Sequence, residues 1–234
     1  MFFLLEQIPS PTAEDKALRT ERLPMTKEDR KGFIKHFLPG IVVLVLTYAL
    51  LSVIRDFRDN FVADIWNELK ESRAAVFTQT EVPVSIAVLA CMSLLMLVRS
   101  NFRALQINHY MVMGGLLLAG VSTVLYSRGT LSTENWMTLN GLGLYLGYIP
   151  FNVVFFERLI AAARRPANVG FLIYIADSFG YLGSIFILLF KNFGQAEVSY
   201  STFFIHALYA VSIAGILLTA FSLMYFNKKN YTHE

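Results

Sequence analysis

Cysteine is nearly absent: Cys91 is the one thiol in 234 residues, so no intrachain disulfide can form and redox compartment is unreadable. It lies within an apolar run, where a lone cysteine reads as a small core residue. Charge is sparse too, at 16% of residues against about 25% in an average soluble domain. The four histidines, His36, His109, His206 and His233, are scattered, and the topology derived below puts His206 toward the opposite membrane face from the others. No metal cluster is expected from them. The chain has no His-Glu-x-x-His helix, no Gly-x-Ser-x-Gly elbow and no phosphate-cradling glycine loop, so hydrolytic and nucleotide-driven chemistry lack their parts. We therefore expect neither an enzyme nor a cofactor. Strict alternation of apolar and polar residues is missing, which argues against a barrel. Met1-Phe-Phe-Leu-Leu5 is too short an apolar run, and lacks the basic start, for a cleavable signal peptide.

What fills the chain is apolar surface. Hydrophobic residues make up 55% and mean hydropathy is +0.51, values that suit lipid as the solvent. A helical span needs about 20 mostly apolar residues. Six such runs occur: Phe37 to Phe57, Val84 to Val98, Tyr110 to Tyr126, Met137 to Phe156, Val169 to Phe190 and Thr202 to Phe226. The expected fold is an all-α, polytopic bundle of six transmembrane helices.

Basic residues orient it, because Lys and Arg near span ends stay on the cytoplasmic side. With the N-terminus inside, fourteen of the twenty fall on inner segments; Arg55, Arg58, Lys70, Arg73, Arg128 and Lys191 fall outside. Both termini are expected in the cytoplasm, with the chain in the inner (plasma) membrane. The net charge of +3 then follows from the inner-face excess and calls for no nucleic acid. Trp66 and Trp136 are expected at external boundaries as interfacial anchors.

Residues 1–35 combine a few apolar residues with Pro9, Pro11, Pro24 and dense mixed charge, which reads as a cytoplasmic linker carrying the remnant of a preceding helix. A short amphipathic helix is expected from Lys27 into Phe37. Residues 36–227 form the bundle and 228–234 a cytoplasmic tail. A linker followed by six spans is how the second half of a twelve-helix transporter reads.

Asp177, near the middle of an otherwise apolar span, is the most informative residue. A carboxylate there costs roughly 2.5 to 3.5 kcal/mol on insertion scales, so such acids usually face a bundle interior or a wet cavity. Tyr174, Asp177, Tyr181 and Ser184 share a helical face; so do Tyr48, Ser52, Arg55 and Asp59 in the first span, and Tyr145, Tyr148 and Asn152 in the fourth. These stripes are expected to line one cavity. Its solute- or ion-binding candidates are Asp177, Tyr174, Tyr181, Asn152, Tyr148, Tyr48 and Ser52. Gate candidates are Arg55, Asp56, Arg58 and Asp59, whose charges otherwise reach water or headgroups at the outer interface, and Glu157 with Arg158 at the inner end of the fourth span. Gly143-x-x-x-Gly147 and Gly180-x-x-x-Ser184 supply small residues for close helix approach.

The stretches Leu51-Ser-Val-Ile-Arg-Asp-Phe-Arg-Asp-Asn-Phe61, Phe155-Phe-Glu-Arg-Leu-Ile160 and Asn168-Val-Gly-Phe-Leu-Ile-Tyr-Ile-Ala-Asp-Ser-Phe-Gly-Tyr-Leu-Gly183 resemble a bacterial family of major-facilitator-like membrane proteins, across nearly the whole chain and that family's C-terminal half. The resemblance implies two inverted three-helix repeats around a midplane site. It supplies no substrate. The loop Val98-Arg-Ser-Asn-Phe-Arg103 departs from the glycine and Asp-Arg pattern of well-studied facilitators. The expected function is half of a secondary transporter moving a small solute by alternating access, proton- or cation-coupled, beside a second six-helix half or a second copy of itself. The alternative is a six-helix membrane scaffold in which Asp177 only ties helices together.

Overall fold

The computed structural model describes residues 25–71, 73–163, 167–194 and 198–229. Helix starts follow local capping chemistry. Thr26 and Asp29 form a reciprocal capping box at the head of α1 (Lys27–Asn60), the Asp29 amide donating to Thr26 Oγ1 at 3.1 Å and the Thr26 amide to Asp29 Oδ2 at 3.0 Å. A seven-residue helix, α2 (Val62–Glu68), follows a one-residue break. After α3 (Ala75–Met96), Ser100 caps α4 (Asn101–Ser127) and Ser132 caps α5 (Thr133–Pro150). The fourth span continues through a π-helical turn, Phe151–Phe155, into α6 (Phe156–Ala163). Asn168 caps α7 (Val169–Leu189), which ends in a second π turn, Phe190–Gly194, and Ser199 caps α8 (Tyr200–Lys228).

Six of these helical stretches are long and apolar enough to cross a membrane: α1, α3, α4, α5 through α6, α7 with its π turn, and α8. Each is longer than its hydropathy run. The first begins at Lys27 rather than Phe37, and the second at Ala75 rather than Val84, because polar residues at span ends cost little in helices that extend beyond the hydrocarbon. The apolar start, most of the linker, Arg164, Arg165 and His233 lie outside the described residues.

The spans interleave rather than pack in chain order. The second lies on the fourth, the fourth on the first, and the first on the fifth; behind this row the third packs on the fourth, the sixth on the first, and the third and sixth on each other. Exchanging the first three spans for the last three, in order, maps this set of principal contacts onto itself. Successive spans alternate in direction, so the exchange relates oppositely directed helices, as an inverted repeat requires.

Between helices in lipid, close backbone approach replaces the hydrophobic drive. Gly115 of α4 and Gly143 of α5 meet face to face, each backbone occupying the place of the other's missing side chain. Gly180 of α7 instead leaves room for side chains, those of Tyr48 and Ser52 of α1. Both small-residue motifs thus fall at helix contacts.

Trp66 and Trp136 correct the expectation of interfacial anchors. They are 1% and 0% exposed. Trp136 stacks on Tyr126, 4.1 Å between centroids, and its indole N–H donates to Thr123 Oγ1 at 3.1 Å, so an internal partner satisfies the polar tip that an interface would have wetted.

Candidate functional site

Three spans deliver polar side chains to one point. The Tyr48 hydroxyl of α1 donates to Asp177 Oδ1 of α7, lies 3.0 Å from the Tyr148 hydroxyl of α5, and is 3.4 Å from Asn152 Oδ1 in the π turn. The Tyr48 ring stacks on Tyr148 with centroids 5.2 Å apart and meets Phe151 edge-on. Local sequence explains the turn that carries Asn152. Pro150 has no amide hydrogen and its ring crowds the preceding turn, so the i→i−4 ladder cannot continue unchanged and one π turn absorbs the mismatch.

The cluster belongs to a longer polar seam. Arg55, two turns along α1 from Tyr48, also sits over the Tyr148 ring, its Cζ 3.8 Å from the ring centroid, and pairs with Asp56. Farther on, Tyr145 donates to Asp59 Oδ2 at 2.9 Å. As numbering falls along α1 from Asp59 through Arg55 to Tyr48, it rises along the fourth span from Tyr145 through Tyr148 to Asn152. First and fourth spans therefore run antiparallel, in register, over about 16 Å of helix.

Arg58 ends the seam, and its surroundings overturn the expectation that this charge reaches water. It is 1% exposed, paired with Glu81 of α3 and with Asp59, and its Nη2 donates to the Met137 carbonyl at 3.4 Å. Gly141 makes the room, since a Cβ there would come within 2.8 Å of Arg58 Nη2. Three spans share one guanidinium.

Of the sequence-derived candidates, Tyr48, Tyr148, Asn152 and Asp177 converge. Ser52 is buried against Gly180 with its hydroxyl unpaired. Tyr174 and Tyr181 do not join: at 74% and 59% exposed they turn away, because the helix buries Leu172, Ala176, Gly180 and Ser184, Asp177 lies at the edge of that line, and the positions three before and four after it are both rotated further from it. Arg55, Asp56, Arg58 and Asp59 lie along the seam, though Arg55 and Asp56 pair with each other rather than across helices. Glu157 is exposed and Arg158 donates to Asn101 Oδ1 at 2.8 Å, so this pair stands apart.

Sequence reasoning missed Glu81. Starting the second span at Val84 left it in a loop; the signal was an acid just ahead of an apolar run, at the end of the bundle where Arg58 lies. It also missed Glu68, whose carboxylate accepts the Tyr200 and Ser201 amides at 2.8 and 2.7 Å and so holds α2 onto the start of α8. Partial burial pushes its pKa up, but those amides and the nearby Lys191 outweigh burial and hold it below the usual carboxylate value. Among the described residues, no three His, Cys, Asp or Glu side chains gather as a metal site.

Six apolar spans with a polar seam through the packed row define a multi-pass, all-helical membrane protein. The chain belongs to the Family of unknown function (DUF5690), whose model matches residues 1–229. No curated protein and no solved structure matches it.

Proposed function

We propose that this chain forms one six-helix wall of a secondary transporter of the major facilitator type, in which a small solute binds at the Tyr48, Tyr148, Asn152 and Asp177 cluster and is exposed to each side in turn. The observation that carries this reading is the convergence on Asp177. Hydroxyl, carboxamide and carboxylate groups from three spans meet at a depth where hydrocarbon would penalise each of them, and the Asn152 side chain is open at the surface of the bundle. A surface of that kind inside a membrane is matched either by a water-filled cavity or by a facing protein wall. The exchange relation between the two halves of the chain supports the same architecture, as does the earlier sequence resemblance.

The facing wall is a second six-helix half or another copy of this chain. Paired charges at Arg55, Asp56, Arg58, Asp59 and Glu81 are suited to gate the end of the seam, since ion pairs break and reform when bundles rock. Charge asymmetry supports termini on the cytoplasmic side of the inner membrane: the end that holds the start of α1 carries Lys27, Arg30, Lys31, Lys35, Arg99, Arg103, Lys228 and Lys229. No catalytic step belongs to this reading.

Purified protein in detergent, screened for thermal stabilisation by amino acids, sugars, carboxylates and amines, tests it. The expected result is a solute class that raises the melting temperature of the wild type, loses that effect in Asp177→Asn and Asn152→Leu, and enters proteoliposomes holding the wild type. Uptake that is indifferent to both substitutions would refute the assignment of the site.

A further inference from the structure

A phenol oxygen carries one hydrogen and accepts through its lone pairs. Tyr48 has three oxygen neighbours: Asp177 Oδ1, Asn152 Oδ1 and the Tyr148 hydroxyl. If Asp177 is ionised, two of the three are pure acceptors competing for one hydrogen, and one goes without. If Asp177 is protonated, its O–H donates to Tyr48, Tyr48 donates to Asn152 Oδ1, and Tyr148 donates to the second lone pair of Tyr48. Every group is then satisfied. Rotating the Asn152 carboxamide by half a turn presents Nδ2 instead and satisfies the ionised arrangement, with Tyr48 donating to the carboxylate. The cluster thus has two complete hydrogen-bond patterns, with Tyr148 donating to Tyr48 in both, that differ by one proton on Asp177 and by the direction of the bonds from Tyr48 to Asp177 and Asn152.

We propose that Asp177, Tyr48, Tyr148 and Asn152 form a proton switch, in which Asp177 takes up and releases one proton through the Tyr48 and Tyr148 hydroxyls. This deepens the transport reading by naming the coupling ion, and it rests on that reading for its place in a transport cycle. A hydronium in the cavity gives a proton to the Tyr148 oxygen, Tyr148 passes its own to Tyr48, and Tyr48 passes its own to the Asp177 carboxylate. Each tyrosine ends with one hydrogen, the carboxylate has become a carboxylic acid, and a water remains.

The surroundings favour a proton over an organic cation. The Tyr148 ring already carries the Tyr48 ring and the Arg55 guanidinium, so an ammonium group would have to displace one of them to use it. Among the described residues Asp177 has no ion-pair partner: from α1 it faces Tyr48, while Arg55 is engaged by Asp56; the fourth span brings Tyr148 and Asn152, with Glu157 and Arg158 beyond them on α6. Lys191, in the π turn that follows α7, bonds the Val198 carbonyl instead. The Tyr148–Arg55 stack extends the chain toward the ion pairs at the end of the seam, giving a path from proton occupancy to gate.

Infrared difference spectroscopy of the full chain in liposomes, between acid and alkaline buffers that leave it folded, reads the switch without any solute. The expected result is a protonated-carboxyl C=O band that appears on acidification, is lost in Asp177→Asn, and moves to higher frequency in Tyr48→Phe, where the acid loses its acceptor. Tyr148→Phe keeps the band and slows its appearance. Absence of any band that Asp177→Asn removes would overturn the proposal, as would a band untouched by Tyr48→Phe. Neither result depends on uptake, so failure here leaves the transport reading standing, and loss of solute binding leaves the switch standing. Monodisperse elution and unchanged helicity select variants that fold.

Discussion

Arg58 and Glu81 pair across the first and second spans, with the guanidinium buried and the carboxylate half open. Removing the acid leaves a buried cation with Asp59 and one carbonyl, whereas removing the arginine leaves an acid that reaches solvent. Glu81→Ala is therefore expected to cost about 2 kcal/mol, less than the usual loss for a fully buried pair because Glu81 is part-exposed. Glu81→Gln, which keeps a hydrogen-bond acceptor, should cost less. Thermal unfolding in detergent checks the order; equal stability of Glu81→Ala and wild type would mean that the pair holds nothing.

Helix approach at Gly143 is equally specific. A Cβ there would lie 3.0 Å from the Ala119 amide nitrogen and 3.2 Å from its Cβ, besides meeting the Gly115 carbonyl. Gly143→Leu is expected to abolish a monodisperse fold and Gly143→Ala to lower the melting temperature. Gly114, one residue along from Gly115, has nothing within 4 Å of such a Cβ. Gly114→Ala should be neutral, or stabilising by up to about 1 kcal/mol through helix propensity.

The indole of Trp136 reports on the core between the third and fourth spans. Thr123→Val keeps the shape of the side chain and removes the acceptor of the buried indole N–H, leaving it unpaired at about 1 to 3 kcal/mol. Thr123→Ser should retain most of that stability. Tryptophan emission, with Trp66 replaced by Phe, follows both; a Thr123→Val protein as stable as Thr123→Ser would contradict the burial of this bond.

Glu68 gives the stability a pH dependence of known sign. Its folded pKa lies below its ordinary value of 4.5, so the stabilisation is fully present above 4.5 and is lost as pH falls from there through the folded value. Wild type should lose more melting temperature below pH 4.5 than Glu68→Gln, and its Tyr200 and Ser201 amides should exchange faster as acid releases them. Parallel acid profiles for the two proteins would rule this linkage out.

Hydropathy made the spans legible because length and apolarity are properties of single segments. Helical spacing likewise placed Tyr48, Tyr148, Asn152 and Asp177 on inward faces, and the fold joins those faces. Spacing did not separate Asp177 from Tyr174 and Tyr181, since positions three and four apart look alike until a neighbour defines the contact line. Glu81 was missed, and the burial of Arg58 and the two tryptophans was not foreseen, for a different reason: whether a charge or an indole near a span end meets water depends on which helix covers it. Covering is set by the interleaved order of spans, which no local pattern encodes.

Whether water reaches Asn152 decides between a solute-accessible seam and a closed one. In a background with Cys91 replaced by Ala, Asn152→Cys in intact membranes is exposed to a charged maleimide, beside Phe186→Cys on the 69%-exposed apolar face of α7. Rapid labelling is expected at position 152, slowed by any solute that stabilises the wild type, and none at 186, where the thiol meets lipid and does not ionise. Equal resistance at both positions would contradict an aqueous, solute-accessible seam.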